Sequence, residues 1–179
     1  MRKIHFYLTA LLVLWTSLSF AHAANIMGWV EKGKLVDQNL ELEIKMDTGA
    51  LTASLGAHDI KLFEKDGQEW VSFTINGALL PQGERFEYPL KRMARIKKRS
   101  SEMKSDADLF ERRPVIEMDL CLGDEARLIE VNLNDRSYFN YQMLLGRTAL
   151  AQFDILIDSS ESHTHKPMCE VKPTENPIS

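Results

Sequence analysis

The sharpest pattern in the chain is Leu40-Glu41-Leu42-Glu43-Ile44-Lys45-Met46, where apolar and charged residues alternate with period two. Such alternation predicts a strand with one buried and one wet face. Ile60-Lys61-Leu62-Phe63 and Trp70-Val71-Ser72-Phe73-Thr74-Ile75 are strand-like too. Asp66-Gly67 lies between them and predicts a hairpin, because both residue types tolerate positive φ. Tyr88, Leu90, Met93 and Ile96 predict one long charged strand or two short ones over residues 85–98, with Pro89 at an edge or a bulge. Ser100 to Glu111 is polar and acidic without periodicity, which predicts a loop.

Strand pattern returns at Val115 to Leu122. Ile116, Met118, Leu120 and Leu122 share one face; Glu117, Asp119 and Cys121 share the other, more polar one. Gly123-Asp124 turns the chain into a strand from Ala126 to Leu133. Thr148 to Gln152 predicts one or two helical turns, and Asp154 to Asp158 a last strand. From Ser159 the chain is polar, with Pro167, Pro173 and Pro177, and reads as a tail. No internal repeat or break falls inside residues 27–158. Many short strands with turn signals and little helix predict one mainly β domain, a small barrel or sandwich.

The N-terminus stands apart from this pattern. Arg2 and Lys3 precede an apolar run centred on Leu11-Leu12-Val13-Leu14-Trp15, and Ala21-His22-Ala23 follows with small-x-small spacing. These are the three parts of a secretory signal peptide. Thr9, Thr16, Ser17 and Ser19 interrupt the run, which argues against an uncleaved anchor. The expected organisation is a signal peptide over 1–23, a β domain over 24–160 and a polar C-terminal tail over 161–179. The expected location is the periplasm or the exterior, with no membrane contact after signal cleavage.

Composition narrows the function. Hydrophobic residues at 44% and charged residues at 27% fit a folded domain and not a disordered chain. With 22 Lys+Arg against 26 Asp+Glu the chain lacks the basic balance of a general nucleic-acid binder. Loss of Arg2 and Lys3 with the signal makes the remainder more acidic still. Cys121 and Cys169 are an even pair that would meet an oxidising compartment; sequence leaves open whether they bond.

Common catalytic motifs are missing: there is no HExxH, no phosphate-binding Gly-rich loop ending in Lys, and no GxSxG elbow. The informative segment is Met46-Asp47-Thr48-Gly49-Ala50, at the end of the alternating strand. Gly49 permits a tight turn and a close backbone approach. Thr48 can hydrogen-bond within the turn. Asp47 is then presented on a braced loop beside an apolar core. A carboxylate held like that next to a second one can share a proton and activate water. The plainer alternative is an Asx-type turn after a strand. Elsewhere, His163, His165 and Cys169 have loose metal-ligand spacing, for which a polar tail is the simpler account. Arg112-Arg113-Pro114 is either a solvated strand start or an attraction for acidic substrate. Arg136 after Asp135 suggests a surface ion pair.

About a hundred residues after Asp47 stands Met143-Leu144-Leu145-Gly146-Arg147-Thr148-Ala149-Leu150, an apolar strand running into Gly-Arg and a short helix. The order of the two segments resembles the retropepsins. The chain is more closely similar to a bacterial family of retropepsin-like aspartic peptidases that also carries the label "ATP-dependent zinc protease". That resemblance rests on Gly28-Trp29-Val30-Glu31, Lys45 to Ala50, Thr52 to Leu55, Ile60 to Phe63, Trp70 to Phe73, Arg112 to Ile116, Asn134-Asp135-Arg136 and Leu144 to Arg147, and it covers roughly Gly28 to Asp158. It implies a small closed retropepsin-like β-barrel with one short C-terminal helix. It places Asp47 at the catalytic position, with Thr48, Gly49 and Ala50 supporting the active loop and Gly146 and Arg147 as structural support. It implies a peptide or protein as substrate; with neither a nucleotide-binding loop nor a zincin motif in the chain, no cofactor or metal is expected. One Asp-Thr-Gly is half of the usual dyad, and Asp158 lacks a following glycine, so the resemblance implies a homodimer meeting at Asp47.

Some relatives are associated with glutamate-ligating enzymes, which suggests glutamate-rich peptides as a substrate class. The alternative of another class is a non-catalytic peptide-binding module on the same barrel. The chain departs from the family at Gly56, where a histidine usually stands, with His58 two residues on. It also departs in the length of Ser100 to Glu111, which would extend a flap over substrate.

Overall fold

Alternating inward side chains from six strands enclose a single core in the computed structural model, which describes residues 24–75, 84–98 and 109–169. The expected signal peptide over 1–23, residues 76–83 and 99–108 and the end of the tail from 170 lie outside the described residues. The strands are β1 (Asn25–Gly28), β2 (Val30–Leu35), β3 (Leu40–Met46), β4 (Ala53–Lys65), β5 (Gln68–Ile75), β6 (Phe86–Pro89), β7 (Arg92–Lys97), β8 (Phe110–Leu122), β9 (Glu125–Asn134), β10 (Met143–Leu145) and β11 (Ile155–Asp158). One helix, α1 (Arg147–Gln152), stands between β10 and β11.

The order β10-β3-β2-β8-β9-β4 returns to β10, because β10 pairs with both β3 and β4. This closes a six-stranded mixed barrel with one short helix near the C-terminus. β10 runs parallel to β3, Leu145 opposite Met46, and antiparallel to β4, Leu144 opposite Ser54. The barrel fills with the apolar half of each alternating strand: Leu40, Leu42, Ile44 and Met46 from β3, and Ile116, Met118, Leu120 and Leu122 from β8. Strand edges vanish on closure, so backbone polar groups of the core strands pair within the sheet.

The hairpin forms as expected: β4 and β5 join through Asp66 and Gly67, both at positive φ (54° and 75°). The stretch 85–98 resolves into the two short strands β6 and β7, with Pro89 ending the first. Two differences are instructive. Phe110 and Glu111, expected in a loop, already belong to β8 and pair with Lys97 and Ile96 of β7. The strands β1 and β2 and the first half of β4 carried no strand pattern. Ala53, Ser54, Gly56 and Ala57 are too small to signal burial, and Glu31 breaks the alternation because it is a fully buried carboxylate.

The polar stretch after β11 is laid against the barrel as far as Cys169. The Trp29 N–H donates to the Glu161 carbonyl (3.0 Å), the His163 N–H to the Val30 carbonyl (2.8 Å), and the Met168 N–H to the Gly123 carbonyl (2.6 Å). Cys169 is disulfide-bonded to Cys121, with Cα atoms 5.9 Å apart. That bond explains why Cys121 is fully buried although it lies on the more polar face of β8.

Candidate functional site

Strand β3 delivers Asp47 and the turn beyond it. Asp47 Oδ1 accepts the Gly49 N–H at 3.0 Å, and the Asp47 carbonyl accepts the Ala50 N–H at 3.2 Å. The carboxylate therefore folds the turn with one oxygen and leaves the other outward. Asp47 Oδ2 lies 3.8 Å from Lys45 Nζ, with a quarter of the aspartate side chain exposed. Lys45 and Asp47 are two residues apart on extended backbone, so they point to the same side.

The turn is held from behind by the second sequence segment. The Asp47 N–H donates to the Leu145 carbonyl at 2.8 Å, so β10 extends its ladder into the turn. Arg147 Nη1 donates to the Thr48 carbonyl at 2.7 Å. The Arg147 and Thr148 N–H groups, at the start of α1, donate to the carbonyls of Ala50 and Leu51, each at 3.0 Å. These are amides that a helix start leaves without intrahelical partners. Gly146 lets the two segments touch: a Cβ there would stand 2.6 Å from the Leu51 carbonyl carbon and the Thr52 oxygen. From the neighbouring strand β9, Asn132 Nδ2 donates to Thr52 Oγ1 at 3.2 Å and to the Ala53 carbonyl at 2.5 Å. The residues singled out in the sequence, Asp47 to Ala50 with Gly146 and Arg147, thus come together in one braced turn. The arrangement presents a carboxylate on backbone fixed at both ends.

Sequence reasoning gave no role to Lys45 or to Leu51. Leu51 is 61% exposed directly beyond the turn, and its exposure has no sequence signature. Lys45 was detectable by parity alone. Trp29 is at the rim and meets Tyr141 edge-on at 5.9 Å between ring centroids. Its carbonyl accepts the Met46 N–H at 2.9 Å.

Other candidates are placed elsewhere. Asp158 Oδ1 accepts both the hydroxyl and the N–H of Ser160, at 2.6 and 2.9 Å, and these bonds hold its carboxyl below the usual range. Arg136 is buried and not at the surface; its Nε donates to the Tyr141 carbonyl (3.3 Å) and its guanidinium covers Phe139. It shapes the loop that leads into β10. Cys169 is spent in the disulfide, while His163 faces Glu43 at 3.0 Å and His165 Nδ1 faces Thr164 Oγ1 at 2.8 Å. Among the described residues no group of three His, Cys, Asp or Glu side chains is arranged to hold a metal ion. His58 lies beside Asp59 in an open cleft of about 390 Å³, whose opposite lip carries Arg112 and Arg113. Arg113 pairs with Glu111 at 2.7 Å.

Comparison with known proteins places this geometry. The chain is 34% identical to Lpg0085, a protein of unknown function from Legionella pneumophila whose crystal structure superposes with a TM-score of 0.62, covering 80% of this chain and all of that one. It is 32% identical over 122 residues to a probable alpha-L-glutamate ligase of Parasynechococcus marenigrum, and 33% identical over 121 residues to one of Shewanella halifaxensis. Each match takes in 68% of this chain but 25% of the relative, so the chain spans about a quarter of the length of these curated relatives. A family model described as "Retropepsin-like aspartic endopeptidase RimB" matches residues 26–168, from β1 to the segment beside Cys169. With the barrel, the Asp47 turn and the Gly146-Arg147 brace all inside that match, the chain belongs to the RimB-like family of retropepsin-like aspartic endopeptidases.

Proposed function

We propose that this protein is an exported aspartic peptidase that hydrolyses amide bonds in glutamate-rich peptides, with Asp47 as its catalytic carboxylate. The observation that carries the reading is the Asp47 turn, fixed by the Leu145 carbonyl, the Arg147 guanidinium and the Gly49 N–H. Rigid placement is what acid–base activation of water requires, since the carboxylate must meet water and the scissile carbonyl in one geometry. Two copies of the chain each bring one Asp47. One carboxylate takes a proton from the water as it attacks the carbonyl carbon, and the other, protonated, donates to the carbonyl oxygen. The C–N bond then breaks as the first carboxyl gives that proton to the departing nitrogen and the second recovers its own from the carbonyl-derived hydroxyl, with no covalent intermediate.

The preference for glutamate-rich chains is supported by the names of the relatives and by positive charge: Lys45 beside Asp47 suits an acidic substrate. The signal pattern at 1–23 supports export to the periplasm or the exterior. The test is digestion of a peptide library that includes oligo-glutamate, from pH 3 to 8, by the wild type and by Asp47→Asn. Cleavage that Asp47→Asn abolishes while the fold persists is the expected result. Cleavage retained by Asp47→Asn would refute the mechanism. Peptide binding without cleavage in both proteins would favour a non-catalytic module on the same barrel.

A further inference from the structure

A second polar cluster lies outside the Asp47 turn, around the buried carboxylate of Glu31. Glu31 Oε1 accepts the Gly28 N–H (2.7 Å), the Thr164 N–H (3.0 Å) and the Thr164 hydroxyl (2.5 Å), and Oε2 accepts the His165 N–H (3.0 Å). Three of these four donors belong to the segment after β11. The segment presses so closely on β1 that a Cβ on Gly28 would stand 2.5 Å from the Glu161 carbonyl oxygen and 2.6 Å from Ser162 Cα. It also occupies a place that a strand would otherwise take. β8 pairs only with Gly33–Leu35 of β2, and ahead of those positions the His163 N–H takes the Val30 carbonyl.

Trp29 gives the shortest path from this segment to the Asp47 turn. The Trp29 N–H donates to the Glu161 carbonyl, and the Trp29 carbonyl accepts the N–H of Met46, the residue before Asp47. At its near end the segment is anchored by β11 on β1, and at its far end by the bond from Cys169 to Cys121. A segment tied at both ends keeps its hydrogen bonds with little further loss of freedom. Untied at one end, it must be ordered residue by residue.

We propose that residues 159–169 are a redox latch on the Asp47 turn. With the disulfide closed, the strap holds Trp29 and, through it, the end of β3. With the disulfide open, the strap leaves and the turn loses that support. The opening step is thiol–disulfide exchange with a small dithiol. Its thiolate attacks Sγ of Cys169, the partly exposed cysteine of the pair, and expels the thiolate of buried Cys121, which takes up a proton. The second thiol of the reagent then resolves the mixed disulfide. Two electrons and two protons pass to the protein, and the dithiol leaves as a disulfide.

The proposal goes beyond the peptidase reading and is tested without any substrate. Amide hydrogen exchange is followed by mass spectrometry on the full chain, oxidised and after treatment with dithiothreitol at the same pH. Reduction should speed exchange at His163, Trp29 and Met46 at least tenfold, while the Val131–Leu133 amides in β9 stay protected over the same interval. The Cys121→Ser/Cys169→Ser double variant should show the same pattern without reductant. Faster exchange in 159–169 with Trp29 and Met46 unchanged would overturn the latch, as would no change anywhere. Loss of β9 protection over the same interval would overturn it too, because the bond would then hold the whole barrel and not the turn.

Discussion

Glu31 shows how a single buried charge is made tolerable. Burial raises the pKa of a carboxyl group, but the Thr164 hydroxyl, then the His165, Gly28 and Thr164 amides, more than offset this and hold Glu31 below its ordinary value of 4.5. The folded state therefore binds the proton less tightly than the unfolded chain. The stabilisation is fully present above the ordinary glutamate value and is lost as pH falls through the lower, folded one. Glu31→Gln replaces one acceptor oxygen by an NH2 group that faces donors. Urea denaturation at pH 7 should find it less stable by about 2 kcal/mol or more, since bonds to a charged acceptor contribute roughly 1.5–3 kcal/mol. The gap between variant and wild type should narrow towards pH 3. Equal stability at pH 7 would show that the carboxylate charge plays no part in holding the chain.

Among the elements, legibility followed the range of the interactions. β3, the β4–β5 hairpin and the β8–β9 pair were readable because alternation and turn residues are local properties. The Asp47 turn and Gly146-Arg147 were readable as two short motifs, each informative once the other was seen. β2 was hidden by Glu31, whose burial depends on Thr164, 133 residues away. The strap over 159–169 was hidden because it is polar and bonds mostly through its backbone. β10 has three residues, yet among the described residues it is the strand that closes β3 to β4. Met143 and Leu145 are both fully buried. Leu145→Ala should cost about 2–5 kcal/mol, as large-to-small changes in packed cores do, while Leu62→Ala, at a half-exposed site on β4, should cost about 0.5 kcal/mol or less. Chemical denaturation of the two variants decides this; equal losses would mean that β10 is not a core element.

For the molecule as a whole, the proposed mechanism requires a second copy. Sedimentation equilibrium of the full chain, 20.5 kDa as a monomer, should show a dimer, and Asp47→Asn should dimerise at least as well because it removes one negative charge from each side. A monomer at every concentration, under conditions where substrate is cut, would rule out a two-chain site. The threading of β10 between β3 and β4 has a consequence of another kind, for the order in which the protein is made. Thr48 and the Arg147 that braces it are 99 residues apart, so the turn emerges from the ribosome long before its support exists. Until residues 143–145 are made, the strand that pairs with both β3 and β4 is missing. A fragment stopping short of residue 143 therefore has all of the motif around Asp47 but neither the Leu145 carbonyl nor the Arg147 guanidinium that braces the turn.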